Sequence, residues 1–332
     1  MSAEAKPISG VYLQTYLAPF APLLARADVT DIYVNRPGEV WVETLGGGLE
    51  RQAAPDLDET SLWRLARQIA SLTHQGVSRE HPLLAAVLPD GARVQIVAPP
   101  ATRGPLALAI RKHVVADLTL DDYARAGAFD QARRDNLEGA ELDQRLEAML
   151  AEGRISDFLR AAVQGRKNII VSGGTSTGKT TFLNALLKEI SREERLIVIE
   201  DTPEVQLDHP NAVGLVAVRG ELGEARVDAD ALLQASLRMR PDRIILGELR
   251  GAEAYSFLRA VNTGHPGSVT TVHADSPRGA LDQVALMVLQ AGANLSRSEI
   301  VDYVKGVVDV FVQLSRKDGR RIVSQIAFEP KG

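Results

Sequence analysis

Gly173-Gly174-Thr175-Ser176-Thr177-Gly178-Lys179-Thr180-Thr181 constrains this chain more than any other stretch. It fits the phosphate-cradling spacing GxxxxGK[ST], and its flanks are the ones that spacing requires. The apolar run Asn168-Ile169-Ile170-Val171-Ser172 before it reads as a buried strand. Phe182 to Ile190 after it reads as a helix, with Phe182, Leu186 and Ile190 on one face. Glycines let backbone N–H groups converge on phosphate oxygens, and the helix start adds partial positive charge. Lys179 can then reach the outer phosphates, and the Thr180 hydroxyl can ligate Mg²⁺. Such a strand–loop–helix binds a nucleoside triphosphate.

A length of 332 residues suggests about two domains, and 45% hydrophobic residues is ordinary for packed cores. The net charge of −5 argues against a dominant nucleic-acid footprint, so no specific nucleic-acid binding is expected. With no cysteine, the chain has no disulfide and no thiolate metal site. Met1-Ser2-Ala3-Glu4-Ala5-Lys6-Pro7 shows no basic-then-apolar signal pattern. No apolar run approaches the roughly 20 residues of a spanning helix. A soluble, cytoplasmic protein is expected.

The fold expected is α/β, with an N-terminal α+β domain over residues 1–114, a helical linker over 115–153 and a C-terminal RecA-like P-loop domain over 154–332. In the first part, Val11 to Ala27 reads as a helix interrupted by Pro19 and Pro22. Residues 31–35 and 39–43 read as a hairpin across Arg36-Pro37-Gly38. Leu62, Leu65, Ile69 and Leu72 mark an amphipathic helix over 58–75. Residues 85–88 and 92–97 form a second hairpin about Pro89-Asp90-Gly91, and Leu106 to Ile110 a further strand. The Ala-, Asp-, Glu- and Arg-rich linker region carries helical patterns at Leu118 to Ala126, Leu137 to Leu150 and Ile155 to Val163. From Asn168 onward, strands at 169–172, 196–200, 243–247 and 268–272 alternate with helices, as in a mostly parallel sheet. A hairpin of 310–314 and 321–328 closes the chain, turning at Asp318-Gly319. Its Arg316, Lys317, Arg320 and Arg321 read as solvated charge.

Hydrolysis needs more than a cradle: a carboxylate to orient water, acidic support for Mg²⁺, and positive charge on the transferred group. Leu196-Ile197-Val198-Ile199 delivers Glu200, Asp201 and Glu204 to one sheet edge. Arg243-Ile244-Ile245-Leu246-Gly247 delivers Glu248, although Gly247 stands where an Mg²⁺-supporting Asp is commonest. Metal support then falls to Glu248 itself or to the Glu200, Asp201 and Glu204 group. A third block runs from Asn262 to Ala274 and contains His273, which alone reads as a hydrogen-bonded structural histidine.

In order and spacing the four blocks resemble the secretion ATPase superfamily. Its members share a Walker A loop, an acidic block (here IEDTPE), a Walker B of the form GE[LM]R (here Gly247-Glu248-Leu249-Arg250) and a His block (here TGHPGSVTTVHA). Leu88 to Val97 and Ala109-Ile110-Arg111-Lys112 also look like the type IV secretion branch, the hexameric traffic ATPases. The resemblance covers residues ~20–330 and is weakest at 115–153. It implies an ATP-hydrolysing, Mg²⁺-dependent motor that powers translocation or pilus assembly. The motor would be a homohexamer, docked on inner-membrane secretion components at the inner face of the inner membrane. By motif match, Lys179 and Thr180 would hold phosphate and Mg²⁺, Glu248 would polarise water, and His273 would sense the γ-phosphate. Arg111 would reach back to the nucleotide. Glu200 and Glu204 would assist the metal or the water, in an order the sequence does not rank.

Other readings predict other features. Type II and pilus-extension motors commonly carry a four-cysteine zinc module, and retraction motors an AIRxLI-type tail; neither is present. A RecA-like helicase wants a basic groove or stacking aromatics, and Trp41 and Trp63 both lie in apolar patterns of the first domain. A scaffold that binds nucleotide without hydrolysis fits poorly with the acids and Lys179. ATP is expected rather than GTP, since a guanine-reading [NT]KxD stretch is missing.

Overall fold

The structure is a computed structural model that describes residues 11–113, 119–130, 137–218 and 224–331. The Met1–Pro7 stretch and Leu118, the start of one expected helix, lie outside them. The described residues start with α1 (Val11–Leu17), a 3-10 turn (Ala18–Phe20) and α2 (Ala21–Ala25), broken where Pro19 and Pro22 interrupt. Six strands follow, β1 (Val29–Val34), β2 (Gly38–Thr44), β3 (Leu49–Ala54), β4 (Leu83–Val87), β5 (Arg93–Val97) and β6 (Ala107–Arg111). They form an antiparallel sheet in the order β3-β2-β1-β6-β5-β4. Between β3 and β4 lies α3 (Glu59–Leu72), capped by the Asp58 carboxylate, which accepts from the Ser61 N–H. One face of the sheet, with Ile32, Val34, Val94, Leu108 and Ile110, packs under α1 and α3. The alternate residues Tyr33, Trp41, Ala107 and Ala109 join the core of the second sheet instead.

After α4 (Leu120–Arg125), α5 (Leu137–Ala151) and α6 (Ile155–Gln164), the second sheet begins. Its strands are β7 (Ile169–Gly173), β8 (Leu196–Glu200), β9 (Ala212–Val216), β10 (Arg243–Leu249), β11 (Val269–Val272), β12 (Val310–Lys317) and β13 (Arg320–Phe328). Their order is β13-β12-β7-β11-β10-β8-β9, parallel throughout except for the β12–β13 hairpin. Helices α7 (Lys179–Leu187), α8 (Ala229–Leu237), α9 (Glu253–Asn262), α10 (Pro277–Gln290) and α11 (Arg297–Val307) supply the crossovers. Strand residues alternate between two cores. Ile197, Ile199 and Leu246 pack against α8 to α11, while Val198, Ile245 and Val171 pack against α5 to α7. Covered on both faces, β8 is buried along its whole length, which is why it reads as an uninterrupted apolar run. α5 docks on this sheet through Leu146 and Met149, although its pattern was expected in the linker.

The two sheets are joined along β9. Residues 101–103 run antiparallel to it, with Arg103 N donating to Gly214 O at 2.9 Å and Val216 N to Ala101 O at 2.9 Å. The connection covers what would otherwise be an open strand edge. A second joint lies at the amino-terminal edge of the parallel strands. There the fully buried Arg195 guanidinium sits 4.0 Å over the Tyr33 ring and donates to Asn35 Oδ1 at 2.7 Å. Burial lowers the pKa of Arg195 to about 10. No helix among the described residues is long and apolar enough to cross a membrane.

Candidate functional site

The phosphate loop leaves β7 at Gly173 and enters α7 at Lys179. The helix starts three residues before the expected Phe182, because the loop feeds its backbone into the first turn through Gly178 at φ +90°. Only glycine adopts that conformation without strain. Thr177 Oγ1 donates to Gly174 O at 2.8 Å and tightens the loop. Lys179 Nζ folds back to donate to Gly173 O at 3.1 Å and lies 3.7 Å from Glu248 Oε1. Burial pushes the Lys179 pKa down, while Glu248 opposes the shift. Residues Thr175 to Thr181 line a cavity of about 460 Å³ together with Glu200, Glu204, Glu248 and His273.

Glu248 is brought to this cavity by an irregularity in β10. The register against β11 shifts between Leu246 and Leu249, which turns the carboxylate toward the loop. His273 Nε2 lies 2.9 Å from Glu248 Oε1, the distance at which a ring N–H donates to a carboxylate. Arg250 Nε donates to Glu248 Oε2 at 2.5 Å, and its Nη1 lies 3.3 Å from Asp201. The hydrogen bond to Glu248 raises the Arg250 pKa, and Glu248 and Asp201 add to it. Behind them Glu253 Oε1 accepts from the N–H groups of Arg250 at 2.6 Å and Gly251 at 2.9 Å, fixing the turn out of the strand. Lys179, Arg250 and the His273 ring therefore surround one carboxylate and hold it oriented toward the loop.

The acidic block divides its work. Thr180 Oγ1 donates to Glu204 Oε2 at 2.9 Å, so Glu204 is the acid beside the hydroxyl that suits Mg²⁺. Glu200 is buried, and its Oε1 accepts from the N–H groups of Glu204 at 2.9 Å and Val205 at 2.8 Å. Its other oxygen pairs with Arg103. Glu200 thus organises the turn that presents Glu204 rather than facing the phosphates freely. The hydroxyl and carboxylate oxygens here are hard donors of the kind Mg²⁺ takes, and the loop fits a polyphosphate.

Of the expected residues, Gly173 and Gly174 lie just before the lining stretch of the loop, and Arg111 stands apart from it. It does not line the cavity; it is half-exposed, and its Nε donates to Asp31 Oδ1 at 3.0 Å. Asp31 lies two residues from Tyr33, at the joint with Arg195, so this is the edge of the sheet opposite the phosphate loop. Arg111 does end the strand expected of it, and within its own chain it is turned to Asp31. The arginine of the first sheet that does reach the acids is Arg103, which also donates from Nη1 to Val205 O at 2.7 Å. It sits in an irregular loop with no periodicity, and nothing in the sequence marked it. Arg250 had a signal, since it closes the Gly247-Glu248-Leu249-Arg250 block two residues after Glu248.

Residues 14–317 match the model of the family described as Type II/IV secretion system protein. The chain is 41% identical over 324 residues to the type IV secretion system protein VirB11 of Brucella suis, covering 95% of this chain and 90% of that protein. It is 40% identical to the type IV secretion system protein PtlH of Bordetella pertussis, covering 96% of each. Its structure is similar to the crystal structure of the VirB11 ATPase from the Brucella suis type IV secretion system in complex with sulphate. That match has a TM-score of 0.89 at 39% identity and covers 96% of this chain and 98% of the other.

Proposed function

On the premise that the chain belongs to the Type II/IV secretion system protein family, we infer that it is the ATP-hydrolysing motor of a type IV secretion system. The observation that carries this reading is the set of contacts joining Lys179, Glu248 and His273 at the mouth of the phosphate loop. Loop N–H groups and Lys179 hold the phosphates. Glu248, oriented by His273 and Arg250, accepts hydrogen bonds from the attacking water and aligns it. His273 lies within reach of both Lys179 and Glu248, so it couples the occupied loop to the acid. Mg²⁺ would be held by Thr180 with Glu204, supported by Glu200, and would supply Lewis-acid neutralisation of phosphate charge.

The domain roles follow from this assignment. Residues 154–332 carry the catalytic domain and 1–114 the covering domain, with 115–153 connecting them and its helix α5 packed on the catalytic sheet. Arg111 stands away from the nucleotide cavity of its own chain, so its expected role requires a neighbouring copy, as in a homohexameric ring. Such a ring would dock on inner-membrane secretion components from the cytoplasmic side. The test is phosphate release from ATP by the purified chain with and without Mg²⁺, alongside mass by light scattering. Metal-dependent release of ADP and phosphate by a hexamer is expected. A chain that binds ATP and never turns it over would overturn the motor reading.

A further inference from the structure

Strand β12 pairs with β7 as far as Leu314 opposite Gly173, then continues to Lys317, so its hairpin with β13 overhangs the phosphate loop. The overhang brings Arg321 into the cavity wall. Its side chain lies directly over Gly178: a Cβ built there would meet Arg321 Cδ at 2.9 Å and Nε at 3.3 Å. Gly178 is set by its backbone conformation, and the short contact shows how closely the arginine side chain lies over the loop.

Arg321 is exposed to solvent, and three features make its surroundings favourable for an anion. The guanidinium sits at the start of α7, the positive end of the helix dipole. Across the hairpin Arg321 faces Arg316, and Arg320 faces Lys317, so like charges stand opposite each other on paired strands. The other basic side chains lining the cavity already have carboxylates: Lys179 and the His273 ring have Glu248, and Arg250 has Glu248 and Asp201. Among the described residues, Arg321 has neither a hydrogen bond nor an ion pair. An exposed cation with like charges beside it and no acid partner is well placed to meet an anion in the cavity.

We propose that Arg321 is a nucleotide-binding residue that grips the phosphates retained by the product. This rests on the reading of the cavity as a nucleotide site and adds a contact that reading did not contain. Glu248 stands on β10, separated from β12 by β7 and β11, so the reacting end of the site lies across the cavity from Arg321. The arginine therefore meets charge present equally in ATP, in the transition state and in ADP. Interactions of that kind lower KM and leave the chemical step alone. Bidentate recognition of phosphate also explains an arginine here rather than a lysine.

The test is titration of the full-length chain with fluorescent ADP, together with steady-state ATPase kinetics, for wild type, Arg321→Ala, Arg321→Lys and Arg320→Ala. Arg321→Ala should weaken ADP binding by about tenfold, the scale of a lost charge-assisted hydrogen bond. KM for ATP should rise by a similar factor, so that kcat/KM falls mostly through KM. Arg321→Lys should recover part of the ADP affinity, and Arg320→Ala, on the other face of the strand, should bind ADP as wild type does. Thermal melts of each variant separate a folding defect from a binding one, and Arg321→Lys supplies the comparison if the alanine variant melts early. Unchanged ADP affinity in Arg321→Ala and Arg321→Lys, with wild type binding well, overturns this inference alone. A fall in kcat with binding intact also overturns it and moves Arg321 to the reacting end. Failure of wild type itself to bind ADP would sink the nucleotide reading, and this contact with it.

Discussion

Glu200 occupies the space that a side chain on Gly247 would fill: a Cβ at Gly247 would come within 3.0 Å of Glu200 Cγ. The two residues lie at the ends of neighbouring parallel strands, paired one residue earlier at Leu246 and Ile199. This close approach explains the departure from the commonest Walker B pattern. An acid from β8 takes the room that an Asp on β10 would otherwise use.

Gly247→Asp should therefore cost stability and turnover together. Overpacking against a buried side chain costs about 1–3 kcal/mol, and here the added group is a carboxylate facing another. Urea unfolding should show the lower midpoint, and phosphate release should fall at least about tenfold, the factor set by 1.4 kcal/mol. Wild-type stability and activity in this variant would mean that the glycine is incidental.

Arg103→Ala removes the cation that pairs with buried Glu200 and leaves that acid with backbone donors alone. Breaking such a pair costs about 3–5 kcal/mol. Adding Glu200→Gln removes the stranded charge, so the double variant should be more stable than Arg103→Ala alone. Denaturant melts of the four chains in this cycle measure the coupling. Strictly additive effects would argue that the pair contributes nothing.

Lys179 gives the site a pH signature. Burial holds its ammonium below the ordinary lysine range in the free chain, and bound phosphates favour the charged form. ADP affinity should be flat below the lowered pKa and fall as pH rises through it, by up to about tenfold per unit. For folding the sign is opposite. The unfolded chain, with its ordinary lysine pKa, holds more protons in that window, so the contribution of Lys179 to stability rises with pH there. Lys179→Arg does not titrate in the range and should lose the alkaline fall in ADP titrations. The same alkaline profile in both chains would assign it to another group.

Arg111→Ala tests the requirement for a neighbour. With Arg111 outside its own cavity, ADP binding should stay within about twofold of wild type, below the scale of one lost hydrogen bond. Hydrolysis should fall. Mixing Arg111→Ala with Lys179→Ala should restore activity, because some interfaces then combine an intact loop with an intact arginine. An unchanged ATPase rate in Arg111→Ala would leave the residue as an ordinary strand-end charge.

What could be read from the chain was set by locality. The phosphate loop, Glu204, Glu248 and His273 each follow an apolar strand, and parallel strands of one sheet bring their carboxyl ends to one edge. The α/β fold was legible for the same reason. Two strands were not. β3 (Leu49–Ala54) carries Glu50, Arg51 and Gln52 at a sheet edge, so no apolar alternation marks it. β9 (Ala212–Val216) is short and interrupted by Gly214, beside which the Arg103 side chain packs. Contacts between distant loops, such as Arg103 with Glu200 or Arg321 over Gly178, leave no periodic trace. They depend on which edges meet, and for Arg111 the partner within its own chain is Asp31 rather than the cavity.

The central claim is that Glu248 aligns the attacking water while the loop and Lys179 hold the nucleotide. Glu248→Gln separates these functions, because the amide keeps the size of the acid and cannot polarise water as a carboxylate does. Measured side by side, ATP binding and single-turnover hydrolysis should diverge. Binding should stay close to wild type, and turnover should fall by about 10²-fold or more, as for loss of a general base. Hydrolysis at the wild-type rate in Glu248→Gln, with Glu204→Gln inactive, would contradict the account and move the base to the acidic block.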